Sequence, residues 1–239
     1  MTDTTHNTPL HPALQLTGVS KHYADGNHTI AALTDVNCTL YPGQMAAILG
    51  PSGAGKSTLL QVAGCLDAPT AGQITIAGTP VATNKEAVRA KIRREHVGYV
   101  FQEYNLLEGL TLGENVSLPL ELDGVASATA LQQASDLLEQ MGLADMAHRF
   151  PAEVSGGQRQ RAAIARALVG KRSIILADEP TGALDTTTAE QVMAVIRQRV
   201  DDGACAIVVT HEPRLAAYAD VSWVLRGGVL SDGVARGGM

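Results

Sequence analysis

The chain has 239 residues, with 18 Lys and Arg against 24 Asp and Glu for a formal net charge of −6, a size that suits one generous domain or two closely joined lobes. At 45 % hydrophobic and 18 % charged residues it can bury a proper core, which excludes wholesale disorder. The acidic balance, with only two Phe, five Tyr and one Trp, argues against a nucleic-acid binder built on a broad basic surface or a base-stacking platform.

Cys38, Cys65 and Cys205 stand far apart with no C-x-x-C, so they read as small buried apolar side chains, not as a disulfide framework or a zinc site. No apolar run approaches the roughly 20 residues that span a bilayer; the longest lie at 45–49, 174–177 and 204–209. The opening MTDTTHNTPLHP has neither a positive start nor an apolar stretch and does not read as a signal peptide. The expectation is a cytosolic protein unless something else holds it at a membrane.

In chain order, the tail to about residue 12 reads as disordered, being Thr-rich with two prolines. Short β-type runs follow at 14–19, 30–33, 36–40 and 45–49, separated by Asp25-Gly26-Asn27 and Pro42-Gly43. The segment GPSGAGKST comes directly after the last of these, residues 59–62 read helical, and 73–76 form another short strand. Lys91-Ile92-Arg93-Arg94 reads as the solvated face of a helix.

From about 105 to 170 the pattern turns mostly helical. Residues 128–141 place Leu131, Ala134, Leu138 and Met141 on one face, with Gly142 to end the helix. A second helix opens near Ser155-Gly156-Gly157 and runs through Arg166-Ala167-Leu168 to Gly170. Strands and helices then alternate: strand 173–177, helix 189–200 with Val192, Val195, Ile196 and Arg199 on one side, strand 204–210, helix 213–217 and strand 221–226, where Trp223 reads as core. Apolar strands interleaved with helices imply an α/β core whose parallel sheet is covered on both faces, carrying a helical insertion.

Gly50-Pro51-Ser52-Gly53-Ala54-Gly55-Lys56-Ser57, followed by Thr58, fits G-x-x-x-x-G-K-[ST] in the required place, after an apolar strand and before a helix. Glycines let backbone N–H groups turn inward around phosphate oxygens, and the helix N-terminus adds positive potential. Lys56 would bridge the β- and γ-phosphates of a nucleotide, and Ser57 would offer its hydroxyl to Mg²⁺. At 174–179 an apolar strand ends in Asp178-Glu179, at the carboxyl edge of the sheet where open α/β folds bind ligands. Taken alone such a pair is more often a solvated turn. Beside a phosphate loop, Asp178 suits Mg²⁺ and Glu179 suits polarising an attacking water.

Between these lies Val154-Ser155-Gly156-Gly157-Gln158 at the start of a helix. The order of phosphate loop, VSGGQ, Asp178-Glu179, Ala183-Leu184-Asp185 and His211 resembles the nucleotide-binding subunits of ATP-binding cassette (ABC) transporters. The resemblance runs from about residue 14 to about 229, and one departure is Val154, where Leu is commonest. It implies a P-loop NTPase core with a mostly parallel sheet, an N-terminal antiparallel β region and an inserted helical subdomain at roughly 103–168, all within one ATPase domain over 13–239.

The resemblance also implies roles. Tyr23 sits where an aromatic stacks on adenine, Gln102 where a glutamine contacts Mg²⁺ and the attacking water, and His211 where a histidine contacts the γ-phosphate. Ser155, Gly156, Gly157 and Gln158 would address the γ-phosphate held by a second copy of the chain or a homologous subunit, with Asp185 at the same interface. Two chains would pack head to tail around two ATP, docked on a separate integral-membrane permease at the cytoplasmic face of the membrane; the chain expressed alone would be soluble. The stretches 99–107 and 177–185 are similar to the branch that includes lipoprotein-release, macrolide-efflux and antimicrobial-peptide-resistance systems, whose permeases carry large extracytoplasmic domains. An ATP-driven switch coupled to a membrane partner for cell-wall remodelling is the alternative. A DNA-repair or translation ATPase is disfavoured without long coiled coils or a second cassette, and a small kinase or GTPase leaves VSGGQ unexplained.

Overall fold

The computed structural model describes residues 11–26, 28–82 and 85–233. Most of the expected N-terminal tail, and Asn27 of the expected turn, lie outside these residues. The chain order is β1 (Leu14–Asp25), β2 (His28–Leu40), β3 (Met45–Leu49), α1 (Lys56–Ala63), β4 (Ala71–Ile76), the two-residue β5 (Thr79–Pro80), α2 (Glu86–His96) and β6 (Val97–Val100). Then come α3 (Leu112–Leu122), α4 (Ser127–Gln140), short 3₁₀ turns at Ala144–Met146 and Pro151–Glu153, and α5 (Gly156–Leu168). The last part holds β7 (Ile174–Asp178), α6 (Thr186–Asp201), β8 (Cys205–Val209), α7 (Pro213–Ala216), β9 (Val221–Arg226) and β10 (Val229–Asp232).

The strands form two sheets. One is antiparallel, in the order β2-β1-β4-β5; the other has six strands in the order β10-β9-β3-β8-β7-β6. Within the second, β9, β3, β8, β7 and β6 run parallel, and only β10 is antiparallel. The runs at 30–33 and 36–40 belong to one long strand, interrupted where Asp35 takes a left-handed φ of 48°.

Strand periodicity explains the layering. Successive side chains of β3, β7 and β8 alternate faces, and the two faces feed different cores. Met45, Ala47, Ile175, Ala177, Ala206 and Val208 join helices α3 to α6. Ala46, Ile48, Ile174, Leu176, Cys205, Ile207 and Val209 pack with α1 and the antiparallel sheet. A sheet buried on both faces has no polar alternation, and these strands have none. Trp223 joins the second core, as the sequence predicts.

Two helical faces differ from expectation. Helix α4 buries Ala130, Ala134, Leu137 and Leu138, and Leu131 stands out at 41 % exposure. The buried stripe is centred on two alanines, where α3 and α5 approach closely, and apolar size alone points to Leu131 instead. Helix α6 buries Met193 alongside Val192 and Ile196, while Val195 and Arg199 are half-buried. Cys38, Cys65 and Cys205 are free, and burial pushes their thiols up to about 12, about 11 and about 12. Among the described residues, no helix is long and apolar enough to cross a membrane.

Candidate active site

The parallel strands end their carboxyl edge in a cleft of about 640 Å³. It gathers Tyr23, Gly50, Ser52, Gly53, Gly55, Lys56, Ser57, Thr58, Gln102, Asp178, Glu179 and His211, which come from widely separated parts of the chain. Ile30, Ala31, Ala32, Gly227 and Gly228 complete its wall. The sequence gives no signal for these five, since apolar residues of a strand edge and glycines of a hairpin turn carry no chemistry of their own.

The loop between β3 and α1 is shaped by close backbone approaches. A Cβ on Gly50 would stand 2.2 Å from the Leu225 carbonyl oxygen, and one on Gly55 would stand 2.3 Å from that of Ala32. Gly55 also takes a φ of 100° and caps α1 without any side-chain hydrogen bond. The first-turn N–H groups of α1 therefore face the cleft with no side-chain acceptor, the arrangement that suits an anion. The Lys56 ammonium donates to the carbonyls of Gly50 (2.9 Å) and Pro51 (2.8 Å). Two of its three donors are so used, and the third is free for an oxygen ligand. Pro51 and Ala54 shape the loop without lining the cleft.

Asp178, the last residue of β7, is 7 % exposed. Burial raises its carboxyl above the usual carboxylate range and the charge of Glu179 adds to this, while the Ser57 hydroxyl and the Lys56 charge oppose it. A buried carboxylate beside a hydroxyl, with the Gln102 side chain in the same cleft, is an oxygen-rich set of the kind Mg²⁺ takes together with phosphate oxygens. No cluster of three or more His, Cys, Asp or Glu that could hold a metal unaided occurs among the described residues.

Glu179 leaves the strand with a left-handed φ of 47°, rare for a non-glycine residue and costly by on the order of 1 kcal/mol or more. Its N–H donates to Val209 O (3.1 Å), and its carbonyl accepts from Gly182 N (3.2 Å) and Gln160 Nε2 (3.3 Å). His211 Nδ1 lies 3.7 Å from Glu179 Oε1. The turn aims the carboxylate back over the cleft.

Tyr23 is held at the rim. Its hydroxyl donates to Asp67 Oδ2 (3.1 Å), the Lys21 ammonium pairs with the same oxygen (2.8 Å), and Lys21 Nζ lies 4.9 Å from the ring centroid. Burial and then the Asp67 contact raise the tyrosine hydroxyl above its ordinary value.

Ser155, Gly156, Gly157, Gln158 and Asp185 are not part of this cleft. Ser155 and Gln158 form a capping box at the start of α5: Gln158 N donates to Ser155 Oγ (3.3 Å) and Ser155 N to Gln158 Oε1 (2.8 Å). The N–H groups of Gly156 and Gly157 have no acceptor among the described residues and face out of the helix end. Asp185 caps α6, with both carboxylate oxygens engaged by Thr188, and this holds its carboxyl below the usual range.

The family model described as ABC transporter matches residues 33–182, more than half of the chain. The chain belongs to the ABC transporter family. It is an ATP-binding cassette of ABC ATPase type, similar to the macrolide export ATP-binding/permease protein MacB of Photorhabdus laumondii subsp. laumondii, with 44 % identity over 220 residues. That alignment covers 92 % of this chain and 34 % of the relative. MacB of Escherichia coli (strain K12) is 44 % identical over 217 residues, 91 % of this chain and 34 % of its own length. The cassette thus spans about a third of the curated relatives it matches. Among solved structures, the cassette MJ0796 in a dimeric post-hydrolysis state bound to ADP and Pi superposes with a TM-score of 0.90 at 38 % identity. That match covers 95 % of this chain and all of the other. A second dimeric structure of MJ0796 gives a TM-score of 0.89.

Proposed function

We propose that this cassette hydrolyses ATP to energise a membrane transporter, working as a head-to-tail pair docked on a permease at the cytoplasmic face of the membrane. The carrying observation is a division of labour: one cleft collects Lys56, Ser57, Gln102, Asp178, Glu179 and His211, while a second anion-suited helix tip, at Gly156 and Gly157, lies outside it. A site with donors on one side only is completed by the same tip from a second copy. The dimeric cassettes of MJ0796 support that pairing.

The N-terminus of α1 and the Lys56 ammonium hold the phosphates, and Tyr23 offers its ring to the adenine. Ser57, Asp178 and Gln102 would hold Mg²⁺, which when bound neutralises phosphate charge and polarises the γ-phosphoryl group. The Glu179 carboxylate accepts a proton from the attacking water and orients it in line, and His211, beside Glu179, contacts the γ-phosphate. Lys56 and the partner's helix tip stabilise the charge that develops in the transition state. Loss of the γ-phosphate removes the contact that differs between closed and open pairs, so the pair opens. That movement passes through the helical lobe near Gln102 to the permease. The relatives' printed names join ATP binding to a permease for macrolide export, which supports transport over a cell-wall switch.

Phosphate release and light scattering with Mg²⁺ and ATP test this reading. Glu179→Gln is expected to slow hydrolysis by on the order of a hundredfold or more and to accumulate an ATP-dependent dimer. Unchanged hydrolysis, or no pairing in any nucleotide state, would overturn it.

A further inference from the structure

Gln160 lies on the second turn of α5, a polar side chain only 2 % exposed. Nε2 donates to the Glu179 carbonyl (3.3 Å) and Oε1 accepts from Ala183 N (3.0 Å). A carbonyl can only accept and a backbone N–H can only donate, so these partners define the amide's orientation uniquely. Both lie in the 179–185 turn, on either side of the segment whose Gly182 N also bonds the Glu179 carbonyl. The start of α5 touches the same turn, since a Cβ on Gly157 would meet Leu184 Cδ2 at 3.3 Å and Ala183 O at 3.4 Å.

Glu179 needs such support. Its left-handed φ of 47° persists only where neighbours over-determine it. Two of its backbone bonds, to Val209 and Gly182, come from the sheet and the turn; the third comes from α5. The helix supplying it is capped by Ser155, whose capping box with Gln158 leaves the N–H groups of Gly156 and Gly157 without an acceptor among the described residues.

We propose that Gln160 is a positioning residue that ties the aim of Glu179 to the seating of α5. The inference rests on the proposed function, in which the α5 tip meets the γ-phosphate bound by the partner copy. Engagement of the tip at one site is then carried along a single rigid helix, through Gln160, to the backbone of the carboxylate serving the other site. Hydrolysis at each site becomes sensitive to occupancy of its twin without any contact between Gln160 and nucleotide.

The test uses the whole chain in two variants. Gln160→Glu keeps the length and the acceptor for Ala183 N but removes the donor to Glu179 O; Gln160→Met keeps the volume, adds no charge and removes both bonds. The measurements are kcat and KM for MgATP, the ATP-dependent dimer by light scattering in a Glu179→Gln background, and Tm. The expected result is kcat lower by about tenfold or more in both variants, since small misplacements of a reacting group cost that much. KM stays within about twofold, and the dimer still forms. The Hill coefficient of hydrolysis moves toward one. If Gln160→Glu fails to fold, Gln160→Met decides. Unchanged kcat and cooperativity in an active, folded variant would overturn the inference and leave the proposed function standing. Loss of dimer formation together with kcat would make Gln160 merely structural and overturn it too. An unmutated chain that neither hydrolyses ATP nor pairs would strike the proposed function instead.

Discussion

The Ser57 hydroxyl and the Asp178 carboxylate line the same cleft and interact favourably, linking the first turn of α1 to the last residue of β7. The contact does not fully compensate the burial of Asp178, because its carboxyl stays above the ordinary range. A carboxyl whose folded value is raised binds more protons in the folded state than in the unfolded one, so stability falls as pH rises through the raised value. Asp178→Asn is therefore expected to raise Tm at pH 7 without nucleotide. The gain should shrink as pH falls and the native carboxyl takes up its proton. Hydrolysis should be lost in the same variant, and scanning fluorimetry from about pH 4, in the ordinary carboxylate range, up to pH 7 beside a phosphate-release assay checks both. A Tm that drops at neutral pH would contradict the account.

Much of this site is legible in the order of residues. Strands β3, β7 and β8 are short apolar runs bounded by glycine or acid, and the chemistry falls at their carboxyl ends, so GPSGAGKST and Asp178-Glu179 could be assigned without coordinates. Helix α2 could not be delimited, because none of its residues is fully buried and its apolar side reduces to Val88 and Ile92 among charged neighbours. Strand β6 is four residues long with Gly98 inside, too brief to separate from its surroundings. Asp67 and Gln160 were invisible for another reason. Their roles are set by hydrogen bonds reaching 44 residues to Tyr23 and 19 to Glu179, and a lone Asp or Gln gives no periodic or motif signal.

The backbone approaches around the phosphate loop predict that Gly55→Ala is severe. The new Cβ would stand 2.3 Å from Ala32 O and hold a φ of 100°. Left-handed strain alone costs about 1–2 kcal/mol, and the clash with backbone adds to it. We expect a loss of at least about 2 kcal/mol in urea unfolding and ATP affinity reduced below detection by calorimetry. Gly43→Ala also sits at positive φ but meets nothing within 4 Å, and it should cost only the conformational part while leaving ATP affinity intact.

Asp67 orients Tyr23 while Lys21 covers the ring, so the base-dependent part of affinity should respond apart from the phosphate part. Tyr23→Ala is expected to weaken ATP binding by about 5- to 150-fold, the range of base–aromatic stacking. Asp67→Asn, which weakens the hold on Lys21 and Tyr23, should produce a smaller loss. Neither should change the affinity for inorganic tripolyphosphate, which has no base to stack. Titration calorimetry with the two ligands separates the cases, and an equal loss for both would remove Tyr23 from adenine recognition.

Asn115 ties the helical lobe to the loop that leads out of the cleft. Fully buried on α3, it accepts from Leu107 N and donates to the carbonyls of Leu107, Leu110 and Thr111. Asn115→Ala takes the side-chain partner from Leu107 N and Leu110 O, while the carbonyls of Leu107 and Thr111 keep the N–H groups of Leu110 and residue 115, and with the volume lost from a fully buried position it should cost about 2 kcal/mol. Asn115→Asp keeps the acceptor but turns a carboxylate toward three carbonyl oxygens, so at pH 7 it should be the less stable of the two. The introduced carboxyl would be raised by burial and by those oxygens, so its stability should recover as pH falls and an O–H donor returns. Urea titrations at pH 5 and pH 7 give the readout. If Asn115→Asp matches Asn115→Ala at both values, the buried amide is not acting through its donors.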